Sequence, residues 1–166
     1  MSKKYKPIML SLDTSSESSG YAVYKAGVLT KDHGHLDHFK KNEGELHVQN
    51  MNKDLLALLN RTNPSIVVIE KPPYAKGNPN THVILCVIIG VVRGWCLEHD
   101  CEFNLINTSV WRAALSNESP VPKKREELKK WSITLAGVED DNEADAILIG
   151  RAWLKIWDRV QLSDIL

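Results

Sequence analysis

The chain has 166 residues, enough for one domain with a hydrophobic core and too few for two domains of ordinary size. Hydrophobic residues make up 43% and charged residues 25%, a composition typical of a folded globular protein. The 21 basic and 21 acidic residues cancel, so net charge gives no indication of a nucleic-acid partner. We therefore predict a single domain spanning residues 1–166.

Cysteine usage and hydropathy indicate the cellular setting. Cys86, Cys96 and Cys101 are odd in number and lack CxxC spacing, which favours a reducing, cytoplasmic environment over a disulfide scaffold or a zinc site. The basic N-terminus precedes only a brief apolar run that contains Asp13, so we expect no signal peptide. The most apolar stretch, residues 83–92, is about half the length that crosses a bilayer, and we expect a buried helix and no membrane partner.

Hydrophobic periodicity predicts the elements along the chain. In the first strand Ile8, Leu10 and Leu12 share one face, and Asp13 ends the strand on the other face. The predicted elements are, in chain order, a strand at 7–13, a hairpin of strands at 21–24 and 28–30, a polar segment, a helix at 45–61, a strand at 65–70, a helix at 81–99, a strand at 101–106, and helices at 109–115, 123–135 and 143–158. A three-strand meander followed by alternating helices and strands predicts an α/β fold, with a mixed five-stranded sheet flanked by helices.

Three acidic residues stand at the ends of these elements. Asp13 ends the first strand, Glu70 ends the apolar strand at 65–70, and Asp145 lies in the first turns of the last helix. Parallel strands place their carboxyl ends at one edge of a sheet, where α/β folds place their sites. Carboxylates that converge there repel one another unless cations lie between them, and hard oxygen ligands select Mg²⁺, with Mn²⁺ able to substitute.

Each acid alone is also typical of a solvated turn or of a helix start, so the prediction rests on the order of all three. Two metal ions about 4 Å apart, held by shared carboxylates, are the usual arrangement for in-line attack on a phosphodiester. The pattern therefore predicts a metal-dependent nuclease centre.

The motifs around these acids resemble those of the RuvC family of Holliday-junction resolvases, which have an RNase H-like fold. Leu10-Ser11-Leu12-Asp13-Thr14-Ser15, with Gly20 seven residues after the acid, is similar to the family's opening strand and turn. Ile69-Glu70 matches its second acid, and Glu143-Ala144-Asp145-Ala146-Ile147-Leu148 matches its C-terminal Asp-Ala motif. The likeness spans essentially the whole chain. It implies an RNase H-like endonuclease that acts as a homodimer on branched DNA, four-way junctions included.

Two departures indicate a divergent member, of bacteriophage type, acting in the cytoplasm of a bacterial or phage-infected cell. Thr14-Ser15 replaces the family's usual Pro-Gly, and Asn142 stands where the family usually has an acid or histidine. The fourth metal ligand is therefore Asp141 or Asn142. We favour Asp141, because two cations demand negative charge.

Basic residues in two segments are candidate DNA contacts. Residues 122–131 begin a predicted helix whose first turn would bind phosphate, although a solvated helix face is an equal alternative. In the loop after Glu70, the resemblance implies an aromatic residue that stacks on an unpaired base, which Tyr74 would supply. The candidate DNA-binding residues are Lys71, Tyr74, Lys76, Lys123, Lys124, Arg125, Lys129 and Lys130.

Other interpretations remain open. His33, His35 and His38 alternate with acids, but no second ligand cluster lies nearby in sequence, so a zinc site is the minor alternative to plain surface histidines. A related nuclease acting on RNA and a catalytically inactive DNA-binding module are alternative functions. A sugar-kinase or actin-like ATPase would need two such lobes, which 166 residues cannot supply.

Overall fold

A computed structural model describes residues 7–15, 17–37, 44–72 and 79–163. The elements in chain order are β1 (Ile8–Asp13), β2 (Ser18–Lys25), β3 (Val28–Asp37), α1 (Gly44–Thr62), β4 (Ile66–Glu70), α2 (Pro79–Glu98), β5 (Glu102–Ile106), α3 (Thr108–Leu115), α4 (Arg125–Ala136) and α5 (Asp141–Ser163). The order of strands and helices is the one that the sequence predicts.

The five strands form one mixed sheet in the order β3-β2-β1-β4-β5. The meander β1-β2-β3 is antiparallel, whereas β1, β4 and β5 run parallel. In the parallel pair of β1 and β4, Leu12 lies opposite Ile69. Asp13 and Glu70, the next residues, therefore end neighbouring strands at the same edge of the sheet.

Helices cover both faces of the sheet. On one face Leu10, Leu12 and Val67 pack with residues of α1 and α2. On the other face Met9 and Val68 pack with residues of α3, α4 and α5. Both faces of β1 are thus buried, and its last residue, Asp13, lies on the face that α5 covers.

The strand β3 is longer than the sequence indicates. Residues 31–37 were expected to be a polar connecting segment, but they continue the strand and pair with β2 as far as Ser18 opposite Asp37. The sequence does not reveal this part of β3 because the strand lies at the edge of the sheet. Backbone hydrogen bonds to β2 hold it there, and an edge strand needs no alternation of apolar side chains.

The helices also begin one or two residues away from their predicted starts, and the starts of α4 and α5 lie next to the predicted site residues. Helix α4 begins at Arg125, not near residue 123, because the backbone of its N-cap Lys124 is extended, with φ −88° and ψ 139°. Helix α5 begins at Asp141, two residues before the predicted start. The carboxylate of Asp140 accepts a hydrogen bond from the backbone N–H of Glu143, which caps the longer helix.

The expectation that α2 is buried is met on one side only. Ile88, Val92, Trp95 and Cys96 are buried, whereas the exposed apolar residues of the helix are Val83 (60% exposed), Val87 (44%) and Leu97 (75%). By length and composition α2 is also long and apolar enough to cross a membrane, a criterion that core helices of globular proteins meet as well. The protein therefore presents an apolar helix face to its surroundings.

Candidate active site

Strand ends and one helix bring the three predicted acids together. Asp13 and Glu70 end neighbouring parallel strands, and α5 packs across β1 and β2 beside them. Burial, followed by the negative charges of Glu70, Asp145 and Asp141, raises the pKa of Asp13 well above its ordinary value. The carboxylates are therefore close enough to repel one another, as the sequence pattern predicts.

A close approach of backbones fixes the start of α5 at this site. A Cβ atom on Gly20 would lie 1.8 Å from the carbonyl oxygen of Asn142, so only glycine lets β2 and α5 meet there. Gly20 is also the residue that pairs with Asp13 across the two strands. The position of this glycine thus determines how close Asp145 comes to Asp13.

Two buried hydroxyl groups hold the same helix against the sheet. Ser11 Oγ donates to the carbonyl of Ala146 at 2.7 Å, and the hydroxyl of Tyr24 donates to the carbonyl of Ile147 at 2.6 Å. Burial raises the pKa of Tyr24 to about 12, so the hydroxyl remains a donor throughout the neutral range. Both bonds lie within two residues of Asp145.

The side chain of Asp145 is incompletely satisfied. Burial raises its pKa to about 6, an effect that a hydrogen bond from Ser132 and the positive charge of Arg112 partly oppose. Its Oδ1 atom is buried and has no hydrogen-bond partner. Such an oxygen is costly in a folded protein unless something binds to it.

Glu70, in contrast, receives a hydrogen bond on each oxygen. Thr108 donates through Oγ1 to Oε1, and Trp111 donates through Nε1 to Oε2 at 3.2 Å. Both donors lie on α3, and neither of them was predicted from the sequence. The available signal was the α3 segment itself, which directly follows the strand next to β4 and so begins at the site.

Arg112 is a third residue of this site that was not predicted from the sequence. Its charge lowers the pKa values of both Asp13 and Asp145, so it lies within electrostatic reach of each. The guanidinium carbon stands 4.9 Å from the centre of the Trp111 ring, and the buried Nε atom has no hydrogen-bond partner. A positive charge thus borders the carboxylates.

A cleft of about 550 Å³ opens beside Asp145. It is lined by Arg112, Arg125, Glu126, Leu128, Lys129, Ser132, Asp141 and Asp145. Three of these residues are basic and three acidic, so positively charged side chains lie beside the carboxylate cluster in this cleft. This combination suits a phosphate group with its counter-cations.

The donor set fits hard divalent cations. It consists of carboxylate oxygens, one of which is buried and unpaired, and the raised pKa values of Asp13 and Asp145 show the repulsion and desolvation that a cation would relieve. Within the described ranges no three His, Cys, Asp or Glu side chains are yet arranged to hold a metal ion. The carboxylates converge without closing into a finished coordination shell.

The two candidates for the fourth ligand differ in position. Asp141 raises the pKa values of Asp13 and Asp145 through its charge, and its Oδ2 forms an ion pair with Lys129 Nζ at 3.0 Å. Asn142 contributes its backbone carbonyl to the contact with Gly20. The negative charge next to the cluster is therefore that of Asp141.

The predicted DNA contacts are placed in several environments. Arg125 and Lys129 line the cleft beside Asp145, whereas Lys130 lines a separate cleft with Glu127 and Trp131. Lys71, Lys123 and Lys124 are exposed, but Lys123 and Lys124 precede the first turn of α4 in which they were predicted. Tyr74 and Lys76 lie outside the described residues.

The histidines of β3 contact acids rather than one another. His33 Nδ1 lies 2.5 Å from an oxygen of Glu143, and His35 Nδ1 lies 3.7 Å from Asp140. Both therefore face the start of α5, where the carboxylate of Glu143 points towards β3. His38 lies outside the described residues.

Comparison with known proteins rests on structure. No protein-family model and no curated protein sequence matches the chain. The fold matches T. thermophilus RuvC in complex with a Holliday junction substrate, with a TM-score of 0.69 and 15% identity over 92% of this chain and 96% of that one. It matches the yeast mitochondrial Holliday junction resolvase Ydc2 with a TM-score of 0.60 and 15% identity, over 92% and 80%.

A viral protein gives a third match. The fowlpox virus resolvase, in complex with its substrate Holliday junction DNA, has a TM-score of 0.53 and 17% identity over 93% of this chain and 98% of that one. These likenesses extend over nearly the full chain, and they confirm the α/β fold class and the resemblance seen in the sequence motifs. The chain has the RNase H-like fold of RuvC and other Holliday-junction resolvases.

Proposed function

We propose that this protein is a metal-dependent endonuclease that cleaves branched DNA, with four-way junctions as its main substrate. The observation that carries the proposal is the convergence of Asp13, Glu70 and Asp145 where β1 and β4 end, beside a cleft lined by three basic and three acidic residues. The structural neighbours add support, because two of them were solved with Holliday junction DNA.

In this proposal Asp13, Glu70 and Asp145 hold two Mg²⁺ ions, for which Mn²⁺ can substitute. Bound divalent cations supply activation of the attacking water and charge stabilisation at the leaving 3′ oxygen. The unpaired Oδ1 of Asp145 is a natural ligand atom, and Asp141 is the preferred fourth ligand over Asn142, because it adds negative charge. This reaction requires no covalent nucleophile from the protein.

The basic residues of the cleft would bind the DNA backbone. Arg125 and Lys129 line the cleft, and Lys123, Lys124 and Lys71 lie exposed at the ends of neighbouring elements. Phosphate contacts give affinity without sequence information, which suits an enzyme that selects shape. The proposed DNA contacts also include Tyr74 and Lys76, which follow Glu70 in sequence, and Lys130, which lines the separate cleft.

The proposed assembly is a homodimer, and the proposed setting is the cytoplasm. A two-fold symmetric dimer matches the symmetry of a four-way junction. The exposed apolar residues Val83, Val87 and Leu97 provide surface on α2 that a second copy could bury. Residues 1–166 would act as one nuclease domain.

The direct test is incubation of the purified protein with four-way, three-way and linear duplex DNA, in Mg²⁺ or in EDTA. The proposal requires cuts in branched DNA that depend on Mg²⁺ and that linear duplex does not show. Binding to junctions without cutting would identify an inactive junction-binding module instead. Cutting that depends on 2′-hydroxyl groups would identify an RNA nuclease.

A further inference from the structure

The carboxylates of Asp145 and Glu70 differ in how many hydrogen bonds they accept from the protein. Asp145 has a buried oxygen without a hydrogen-bond partner, while Glu70 has a side-chain donor on each oxygen. The donors Thr108 and Trp111 are three residues apart and therefore lie on the same face of α3. Two hydrogen bonds from α3 thus hold the Glu70 carboxylate before any cation is present.

Trp111 is itself immobilised. Its side chain is fully buried, its ring stacks on that of Trp131 at a centroid distance of 6.2 Å, and the Arg112 guanidinium lies 4.9 Å from its centre. A large ring packed on two sides cannot turn without disturbing the core. The indole N–H therefore points in one direction, and it fixes the plane of the Glu70 carboxylate.

The hydrogen bonds from Thr108 and Trp111 leave Glu70 able to bind a cation. An ionised carboxylate has about four lone-pair sites on its two oxygens, and the two hydrogen bonds occupy only two of them. Outer donors that orient a metal-binding carboxylate commonly change metal affinity by 10–100-fold when they are removed.

We propose that Thr108 and Trp111 are positioning residues that hold the Glu70 carboxylate turned towards Asp13 and Asp145, so that the cation site is preformed on the β4 side. This inference rests on the proposed function, because it takes the carboxylate cluster to be the cation site. In this inference α3 does more than pack against the sheet, because two of its side chains donate hydrogen bonds to Glu70.

The test combines calorimetric titration of the metal-free protein with Mn²⁺ and cleavage across a Mg²⁺ titration. Trp111→Phe keeps a packed ring but loses the N–H, and Thr108→Val keeps the shape but loses the hydroxyl. Each should weaken Mn²⁺ binding about tenfold or more and raise the Mg²⁺ concentration for half-maximal cleavage by a similar factor. Thr108→Ser, which keeps the hydroxyl, should bind Mn²⁺ like the wild type.

Controls separate this effect from loss of fold. Trp157→Phe makes the same chemical change at an exposed site far along α5 and should alter neither readout. Thermal unfolding shows whether Trp111→Phe folds; if it does not, the comparison of Thr108→Val with Thr108→Ser carries the test.

The outcomes distinguish this inference from the proposed function. Mn²⁺ binding by Trp111→Phe and Thr108→Val at the wild-type level would overturn the inference, whether or not the wild type cuts DNA. Weaker Mn²⁺ binding by both variants, together with no DNA cleavage by the wild type, would support the inference and contradict the proposed function. A wild-type protein that binds no Mn²⁺ would contradict both.

Discussion

Asp145 carries an energetic cost in the metal-free protein, because its carboxylate is desolvated and surrounded by like charges. Its folded pKa, about 6, lies above the ordinary value of 3.8. The folded state therefore binds more protons than the unfolded state between these two values, and this group makes stability fall as pH rises through that window. Above about pH 6 the full cost is present, and below about pH 4 it is absent.

The first prediction concerns this cost. In EDTA, Asp145→Asn should be more stable than the wild type at pH 8, by about 1–2 kcal/mol, because the neutral amide removes the buried charge. The difference should shrink towards pH 4, where the wild-type carboxyl is protonated. Thermal unfolding from pH 4 to pH 8 measures this, and parallel profiles for the two proteins would contradict the account.

At the scale of elements, the position of α5 depends on a backbone contact. The second prediction is that Gly20→Ala displaces α5, because its Cβ would lie 1.8 Å from the carbonyl oxygen of Asn142. Neither backbone can move away cheaply, so we expect a loss of several kcal/mol in stability, or loss of folding. Thermal unfolding and circular dichroism measure the effect.

Gly34→Ala is the matched control for that experiment. Gly34 lies in β3, and the atoms nearest to an added Cβ there belong to the side chain of Tyr21, at an ordinary contact distance of 3.5 Å. Alanine should stabilise the strand by roughly 0.5–1 kcal/mol. Equal unfolding temperatures for the two variants would show that the contact at Gly20 is not tight.

The strands differ in how well the sequence predicts them. Strands β1 and β4 were predictable because buried strands have apolar runs, and Asp13 and Glu70 stand directly at their ends. Strand β3 was not predictable beyond residue 30, because an edge strand held by backbone bonds has no apolar pattern. Gly20 was recognised by resemblance, and its reason, the contact with α5, appears only in the fold.

The residues that donate hydrogen bonds to Glu70 could not be predicted from the sequence for a different reason. Thr108 and Trp111 lie 38 and 41 residues from Glu70, and only the parallel pairing of β4 with β5 brings them to it. Arg112 likewise lies on α3, a short helix whose orientation no local pattern specifies. Side chains that act on a site from another element therefore require the tertiary structure.

At the scale of the whole molecule, α2 exposes an apolar face formed by Val83, Val87 and Leu97, which we expect a second copy of the chain to cover. The third prediction is a dimer of about 37 kDa, twice the 18.7 kDa chain. Val83→Glu with Val87→Glu should give a monomer, because charges on this face would be buried at the interface. Light scattering after gel filtration measures the mass, and a wild-type monomer at micromolar concentration would contradict the prediction.

The fourth prediction concerns Arg125 and Lys129, two basic residues of the cleft beside Asp145. Arg125→Gln with Lys129→Gln should weaken binding to every DNA shape by a similar factor and reduce its salt dependence, because phosphate contacts carry no shape or sequence information. Lys130→Gln, which changes a lysine on the separate cleft, should have a smaller effect. Fluorescence anisotropy at several salt concentrations measures both, and equal losses would show that the cleft beside Asp145 has no special part in binding.

The central claim is that Asp13, Glu70 and Asp145 form one cation-dependent centre for cutting branched DNA. The most direct measurement is cleavage of an immobile four-way junction by the wild type and by Asp13→Asn, Glu70→Gln and Asp145→Asn, with junction binding measured in parallel. The account predicts that the wild type cuts in Mg²⁺, that each variant loses at least about 1000-fold in rate, roughly 4 kcal/mol of barrier, and that each still binds the junction. Near wild-type cutting by any one variant, or wild-type cutting in EDTA, would contradict it.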